Sequence, residues 1–172
     1  ANDILDHFAW GQILSPQFVN LPFNVVIHAI GTTNEVLTNF NGTVFLSSTN
    51  GIVVAPPFLN GFVQGSWTGA VTIAQLATNL VLRADDGHGY FGLANAINLL
   101  VRPSLNVAVS GDFLLIFWPA TSSSFVLETS TSLNPAQWVP VASPPLKIGD
   151  QYLESIQMTE TNYFYRLRFS GF

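Results

Sequence analysis

The stretch Phe62-Val-Gln-Gly-Ser-Trp-Thr-Gly-Ala-Val-Thr-Ile73 decides the fold, because it is a long run of residues that favour strands. Its polar side chains fall on one face, and the other face carries Val63, Trp67, Val71 and Ile73. A period of two residues is the pattern of a half-buried strand. Gly65 and Gly69 flank Trp67 on its own face, which leaves room for the indole ring. We therefore predict a strand here.

Short β-type runs separated by turn residues surround this strand. Asn-Gly pairs, which are a strong hairpin signal, occur at residues 41–42, 50–51 and 60–61. Residues 25–30 alternate upstream, and residues 80–85 downstream place Leu80, Leu82 and Ala84 on one face. The sequence Asp85-Asp86-Gly87-His88-Gly89 then predicts a turn, and residues 90–100 predict a last strand.

Two stretches also match helical spacing and leave a short helix as the alternative. The positions concerned are Ile73, Leu76, Ala77 and Leu80, and then Leu93, Ala96, Ile97 and Leu100. Neither stretch has convincing caps, and Thr and Asn weaken both. We predict strand or loop for both.

The second half of the chain repeats the strand-and-turn pattern. Arg102-Pro103-Ser104 reads as a linker, because proline disfavours continued structure through the residue before it. Strands are predicted at residues 105–109, 113–118, 125–129, 138–142, 152–158 and 163–169, with a tight turn at Ser110-Gly111-Asp112. The prediction is an all-β chain of two tandem antiparallel β-sandwiches, at residues 1–101 and 105–172, joined by residues 102–104.

The composition combines many hydrophobic residues with few charges. Hydrophobic residues make up 48% of the chain and charged residues 9%, against about 25% charged residues in an ordinary soluble domain. One interpretation is a neutral extracellular protein coated with Thr, Ser and Asn. The other is that much of the surface is buried against further copies, since large apolar patches usually mark interfaces.

The charge excludes some partners. The net charge is −5 with only five Lys and Arg, so nucleic acid and anionic membrane surfaces are not expected partners. The longest apolar runs have strand length, far below the ~18 residues of a membrane-spanning helix, so no membrane insertion is expected. The absence of cysteine excludes disulfides and cysteine-ligated metals.

Several motifs carry family resemblances. The stretches Phe113-Leu-Leu-Ile-Phe-Trp118-Pro119, Phe125-Val-Leu-Glu-Thr-Ser130, Trp138-Val-Pro-Val141 and Tyr163-Phe-Tyr-Arg-Leu-Arg168 resemble strands B, C, C′ and F of a fibronectin type III-like module. In the first half, Asn41-Gly-Thr-Val-Phe-Leu46, Gly65-Ser-Trp-Thr-Gly-Ala-Val71 and Leu80-Val-Leu-Arg-Ala-Asp-Asp86 resemble bacterial immunoglobulin-like repeats of large secreted and cell-surface proteins. These resemblances imply an immunoglobulin-like fold, an extracellular location reached through a signal peptide not present in this chain, and a spacer, adhesive or structural role.

The second module departs from its family at the carboxyl end. A fibronectin type III-like sandwich ends with strand G paired to strand F, but only Ser170-Gly171-Phe172 follows residues 163–169. An unpaired strand edge is a template for another chain, so a neighbour is expected to donate a strand. Residues 4–10 are the candidate donor, and a six-stranded variant with a solvated edge is the alternative.

The strand at residues 113–118 is apolar on both faces, and a two-sheet sandwich buries only one face of each sheet. This strand, the donor segment, a Phe-Leu loop and the carboxyl end supply the predicted self-assembly interface. Its residues are Ile4, Leu5, Phe8, Trp10, Phe58, Leu59, Leu114, Ile116, Tyr163, Tyr165, Phe169 and Phe172.

Polar residues give little sign of catalysis. Asp85 and Asp86 are the candidates for a metal site, but adjacent Asp residues are equally ordinary in turns. A hydrolase needs a nucleophile, a base and an orienting group, and a glycosidase needs two placed carboxylates. The residues concerned, in which no such pattern is evident, are His7, His28, His88, Ser66, Glu128, Glu154 and Glu160. No enzyme activity and no cofactor are expected.

The chain is thus predicted to be a non-enzymatic structural subunit of an extracellular filament or surface layer. Its partner would be itself, in head-to-tail contact through apolar faces and a donated strand. The alternative is an adhesive or carbohydrate-binding module of a larger secreted protein, with polysaccharide stacked on tryptophan. Trp10 and Trp138 are the freer tryptophans for that role, since Trp67 and Trp118 fall on core or interface faces.

Overall fold

The computed structural model describes residues 4–121, 124–159 and 162–171. The chain forms two compact units, Ala1–Arg102 and Pro103–Phe172. The strands of the first unit are β1 (Leu5–Trp10), β2 (Gln17–Phe18), β3 (Phe23–Gly31), β4 (Val44–Ser48), β5 (Val54–Ala55), β6 (Phe58–Leu59), β7 (Ser66–Ile73), β8 (Ala77–Leu80), β9 (Leu82–Asp85), β10 (Phe91–Leu93) and β11 (Ile97–Leu100). Those of the second unit are β12 (Asn106–Ser110), β13 (Phe113–Pro119), β14 (Phe125–Ser130), β15 (Val139–Pro140), β16 (Leu146–Ile148), β17 (Gln151–Gln157) and β18 (Phe164–Phe169).

The first unit is an immunoglobulin-like sandwich. One sheet has the order β1-β3-β7-β5, and the other has the order β10-β9-β4-β6. A smaller sheet, β2-β11-β8, follows on from the second, since only Val81 separates β8 from β9. In immunoglobulin lettering β1, β3 and β7 stand at the positions of strands A, B and E, and β4, β9 and β10 at those of C, F and G. The short strands β5 and β6 stand at the D and C′ positions in reversed chain order. The predicted all-β fold is confirmed, and the two stretches with helical spacing are strands and connections.

The core of the first unit confirms the alternation predicted along the chain. Leu80, Leu82 and Ala84 are at most 1% exposed, and so are Val71 and Ile73. Apolar side chains at every second position pack between the two sheets, and this burial is the main term that stabilises such a sandwich.

The predicted strand at residues 62–73 is shorter than expected. A tight turn places Gln64 and Gly65 at positive φ and bonds Val63 to Ser66, so β7 begins only at Ser66 and Val63 is 72% exposed. The glycine prediction holds at Gly69, where an added Cβ would lie 2.4 Å from the Trp67 ring.

The Asn-Gly pairs do not close hairpins, which corrects the sequence prediction. Gly51 and Gly61 have φ of 78° and 80°, so both pairs form turns as expected. However, β4 pairs with β6 and β9, while β5 pairs with β7. The turn at Gly51 therefore carries the chain from one sheet to the other. An Asn-Gly pair therefore predicts a turn, but it does not predict that the strands on its two sides pair with each other.

The second unit is a smaller sandwich with sheets β12-β13-β17-β16 and β15-β14-β18. In the same lettering these are A-B-E-D and C′-C-F. The predicted turn at Gly111-Asp112 joins β12 to β13, and Ser110 lies opposite Phe113. Three apolar residues form its buried core, Ile116, Trp118 and Leu127, with half-buried neighbours around them.

The structure decides which face of β13 is inward. Ile116 and Trp118 are at most 1% exposed, whereas Phe113 is 44% exposed on the opposite face. The register places Phe117 opposite Leu153, and Leu153 opposite Leu146. Because directly opposed residues share a face, these side chains extend an apolar strip across the outer surface of the sheet. The second apolar face predicted from the sequence is therefore the Phe113 face.

Candidate functional site

The edge of β18 in the second unit is open. In the described residues β18 has one hydrogen-bonded neighbour, β14, and it stands last in its sheet. Ser170 N donates to Ser124 O at 2.7 Å, which makes this a hydrogen-bonded pair. Hydrogen-bonded and non-bonded pairs alternate along an antiparallel ladder, so the N–H groups of Tyr165 and Leu167 point away from β14. They form a template for another strand.

The facing sheet is uncovered at the same place. Val107 lies opposite Ile116 and Val109 lies opposite Leu114, so both valines are on the inward face of β12. They are nevertheless 62% and 67% exposed. In an immunoglobulin-like sandwich the strand beside F covers strand A, and no described residue occupies that place. We call the open edge of β18 together with Val107, Val109 and Leu114 the acceptor groove.

Cavities lie between the two sheets of the second unit, and one of them shares Leu114 and Tyr165 with this groove. One of about 150 Å³ is lined by Leu114, Ile156, Tyr163 and Tyr165 among others. Another of about 300 Å³ lies against Trp118, Leu127 and Tyr152. Interiors of folded proteins are normally close-packed, so these spaces mark a sandwich with room for further side chains.

The outer face of the same sheet carries a buried carboxylate. Glu128 on β14 is 3% exposed. Its Oε2 accepts hydrogen bonds from Arg166 Nε at 2.9 Å and Nη2 at 2.8 Å, and its Oε1 accepts from Arg168 Nε at 2.5 Å. The Arg166 guanidinium lies 4.3 Å from the centroid of the Trp138 ring. The cluster carries a net charge of +1 beside the open edge.

The electrostatics of this cluster fix the charge of its carboxylate. Burial disfavours the charged form of Glu128, but hydrogen bonds to Arg168 and Arg166 and their positive charges outweigh that effect. The pKa of Glu128 is therefore lowered. At neutral pH the carboxylate is ionised and holds both guanidinium groups in place, while each arginine side chain stays 43–44% exposed.

A second surface lies on the first unit. Phe45 is opposite both Phe58 and Asp85, and Asp85 is opposite Phe91, so the four side chains share one face of the sheet. The three phenylalanines are 45–52% exposed. Arg83 forms an ion pair with Asp85 and lies 4.3 Å from the Phe91 ring centroid. We call this surface the aromatic face.

Some residues of the predicted self-assembly interface lie close together in the structure, and others are buried in the core of their own unit. Leu114, Tyr163 and Tyr165 line one cavity of the acceptor groove, with the Tyr163 and Tyr165 ring centroids 6.4 Å apart. Phe169 stacks edge-on with Phe125 at 5.4 Å on the same strand pair. Phe58 lies on the aromatic face. Phe172 is outside the described residues.

Three residues of that predicted interface are core residues, which corrects the prediction. Phe8 and Leu59 are 2% exposed, and Ile116 is fully buried. Period-two alternation marks a buried face but does not say whether the chain itself or a neighbour buries it, so sequence alone could not separate the two cases. Within the folded chain these residues stabilise their own sandwich.

The candidate donor segment already pairs with a strand of its own unit. Residues 5–10 form β1, which pairs antiparallel with β3. Leu5 and Trp10 pack against the core, and Trp10 Nε1 donates to Gly92 O at 3.1 Å. Ile4 is 58% exposed. Donation of this strand therefore requires its release from β3.

The aspartates at the β9–β10 turn organise the turn itself. Asp85 Oδ1 accepts from Gly87 N at 2.6 Å, and Asp86 Oδ1 accepts from His88 N at 2.8 Å and Tyr90 N at 3.1 Å. Within residues 4–121, 124–159 and 162–171 there is no group of three His, Cys, Asp or Glu residues that could hold a metal ion. The same residues contain no helix long and apolar enough to cross a bilayer.

The polar pairs that could suggest hydrolysis are parts of the sheets. His28 Nδ1 lies 2.8 Å from Ser66 Oγ because these residues are directly opposed on β3 and β7. Glu154 is on the inward face opposite Ile116, and its Oε1 accepts from Ser143 Oγ, whereas Glu128 is on the outer face of the other sheet. The two carboxylates therefore do not face one cleft, as a glycosidase would require. Glu160 is outside the described residues.

The tryptophans do not form a sugar platform. Trp118 is buried, Trp67 covers Gly69, and Trp10 packs against the core. Trp138 is half-buried and stacked with Arg166. Three exposed phenylalanine rings lie together on the aromatic face. They stand on three separate strands, so no sequence pattern indicated that they would meet.

Comparisons with known proteins give loose structural likenesses. No protein-family model matches the chain, and no curated protein matches it. The solved structure of surface layer protein SbsC, domains 4-9, matches with a TM-score of 0.42 and 11% identity, over 94% of this chain and 28% of that chain. Domains 5-6 of the S-layer protein SbsC match with a TM-score of 0.41 and 11% identity, over 91% of this chain and 86% of that chain.

A chaperone–tip adhesin complex of CFA/I fimbriae biogenesis matches with a TM-score of 0.35 and 10% identity, over 96% of this chain and 93% of that chain. The chain thus spans 28% of the length of the first of these structures. With TM-scores below 0.5, these structures assign no function to the chain.

Proposed function

We propose that the chain is a non-enzymatic structural subunit of an extracellular assembly, which joins to further copies of itself by strand complementation of its second sandwich. The acceptor groove carries this proposal. It combines the N–H groups of Tyr165 and Leu167, which point away from β14, with two exposed valines on an inward face. A strand added there would pair with β18 and cover the valines in one step, which is the physical basis of β-strand addition.

The extracellular location is part of the proposal and is supported by the family resemblances of the two sandwiches. The low charge content of 9% fits the same interpretation, because surface buried against neighbours needs few charges. The aromatic face supplies a further apolar contact surface for such an assembly.

The proposed donor is β1 of a neighbouring copy. Its release removes Phe8 from the core, which costs about 3–5 kcal/mol by analogy with Phe-to-Ala substitutions. Insertion into the acceptor groove would bury Leu5, Phe8 and Trp10 again. It would also form new backbone hydrogen bonds between β1 and β18. The exchange is therefore expected to be slow and to depend on protein concentration, as in domain swapping.

The first experiment substitutes one valine of the groove. Val109→Lys places a charge where a donated strand would bury it, yet Val109 is 67% exposed in the free chain, so folding is expected to survive. Val53→Lys is the matched control, since Val53 is 75% exposed on the first unit. We expect wild type and the control to form larger species with rising concentration in light-scattering chromatography, and V109K to remain monomeric. Equal behaviour of all three would contradict the proposal.

The second experiment tests the donor. Ala9 and His28 are directly opposed on β1 and β3, in a position suited to a disulfide, and the natural chain has no cysteine. The double variant Ala9→Cys/His28→Cys should lock β1 in place when oxidised. We expect association to be lost on oxidation and restored by reduction. Association that persists in the oxidised protein would exclude β1 as donor.

A second candidate function is polysaccharide binding on the aromatic face. Exposed Phe45, Phe58 and Phe91 flank an ion pair of Arg83 and Asp85, which combines flat apolar rings with polar groups for hydroxyls. Affinity electrophoresis in gels containing polysaccharide tests it, with Phe91→Ala expected to remove retardation and V53K expected to retain it. If no polysaccharide in the gel changes the mobility of the wild-type protein, polysaccharide binding is excluded.

A further inference from the structure

The open edge of β18 is charged on one side. Arg166 and Arg168 point to the outer face, while Tyr165 and Leu167, which alternate with them along β18, pack toward the core. Glu128 neutralises only one of the two positive charges. Any strand that pairs with this edge must therefore place its own outward side chains next to a net positive charge.

The pairing geometry brings these side chains close together. The N–H groups of Tyr165 and Leu167 point to the open edge, so residues opposite them on an added antiparallel strand form the hydrogen-bonded pairs. Residues opposite Arg166 and Arg168 then form the non-bonded pairs, whose Cα atoms are only about 4.5 Å apart. Opposite charges at such positions stabilise a strand pair, and like charges destabilise it.

This geometry disfavours β18 of a second copy as the added strand. In the antiparallel register that pairs residues 165–169 of the two copies, with the outward N–H groups in hydrogen-bonded pairs, Leu167 lies opposite Leu167 of the second copy. Arg166 of each copy then lies opposite Arg168 of the other, which brings two like-charged pairs together at the non-bonded positions. The cluster therefore works against a closed dimer and leaves the edge available for a different strand.

We infer that the acceptor groove selects a strand with apolar inward residues and a carboxylate facing outward, opposite Arg166 or Arg168. This inference rests on the proposed function and names the chemistry of its partner. β1 contains a bulge between Leu5 and His7, which places Leu5 on the same inward face as Phe8 and Trp10 and leaves Asp6 on the outer side, with its side chain 55% accessible. β1 of a second copy has the required pattern when it is donated with this bulge.

Labelled peptides test the selection without requiring release of β1. One peptide has the sequence of residues 3–10, Asp-Ile-Leu-Asp-His-Phe-Ala-Trp, and its partner differs only by Lys at the position of Asp6. Binding to the whole chain is measured by fluorescence anisotropy. We expect the native peptide to bind roughly fivefold more tightly than the Lys peptide, and this preference to shrink in 0.5 M salt.

Protein variants locate the effect. Arg168→Gln keeps the Glu128–Arg166 pair and should reduce the preference for the native peptide, whereas Arg102→Gln in the linker should keep it. V109K should abolish binding of both peptides.

The outcomes distinguish a failure of charge selection from a failure of strand addition. Equal binding of both peptides to wild type at low salt would overturn the charge selection and leave strand addition standing. Binding of neither peptide to wild type would overturn the proposed function itself, and with it this inference.

Discussion

Replacing the buried carboxylate of the second sandwich is expected to destabilise that unit in a pH-dependent way. Glu128→Gln removes the charge that both Arg166 and Arg168 bond, but keeps the size and part of the hydrogen-bonding capacity of the side chain. Hydrogen bonds to charged groups contribute about 1.5–3 kcal/mol each when well buried. Because both arginines are more than 40% exposed, water screens the cluster, and we expect a total loss of about 1–2 kcal/mol.

The pH dependence follows from the lowered pKa of Glu128. A carboxyl group whose pKa is lower in the folded state stabilises the fold above its unfolded pKa. That contribution is lost as the pH falls through the folded value. The difference in the free energy of unfolding between wild type and E128Q should therefore have its full size at pH 7 and should disappear toward pH 2.

Urea unfolding followed by tryptophan fluorescence measures this difference, with Trp138 beside the cluster as a reporter. A loss of 1–2 kcal/mol corresponds to a midpoint shift of about 0.5–1 M urea at pH 7. A shift of the same size at pH 7 and at pH 2 would refute the argument, because it would show that the ionised carboxylate is not the source of the stability.

Three further predictions concern packing. Gly92→Ala should destabilise the first unit by about 1–3 kcal/mol or prevent its folding, because the new Cβ would lie 1.8 Å from the backbone oxygen of Phe8. Thermal unfolding followed by circular dichroism measures this effect, and an unchanged unfolding midpoint would contradict the prediction. Ile116→Ala should cost about 2–5 kcal/mol, since Ile116 is fully buried in a core of three residues, and urea unfolding should show the loss in the second unit. Phe58→Ser should leave the free energy of unfolding, measured by urea unfolding, within about 0.5 kcal/mol of wild type, because Phe58 is 52% exposed; a large loss would mean that the aromatic face is part of the core.

Local patterns in the sequence were sufficient for most strands. Leu80, Leu82 and Ala84 alternate with polar residues and are buried as predicted. The strand β16 was missed because Leu146-Lys147-Ile148 stands between Pro144-Pro145 and Gly149-Asp150, which read as one long loop. It forms because Gly149, at φ 57°, closes a tight hairpin onto β17.

Properties that depend on distant partners could not be predicted. Both faces of residues 113–118 are apolar, so alternation along the strand could not identify Ile116 as core and Phe113 as surface. Glu128 likewise gave no sign of burial, because its arginine partners are 38 and 40 positions away and meet it only through the register of β14 and β18. The open edge of β18 agrees with the prediction that residues 163–169 form an edge strand, within the residues that the structure describes.

Burial of Val109 on association is the direct signature of a strand added to the acceptor groove. The chain has no cysteine, so Val109→Cys introduces a single thiol whose reaction with a maleimide can be followed in dilute and in concentrated, associated protein. Val53→Cys reports on an exposed valine outside the groove. We expect rapid labelling of both thiols in dilute protein and protection of the Val109 position alone after association. Labelling of that position at the same rate before and after association would show that no strand is added to the groove.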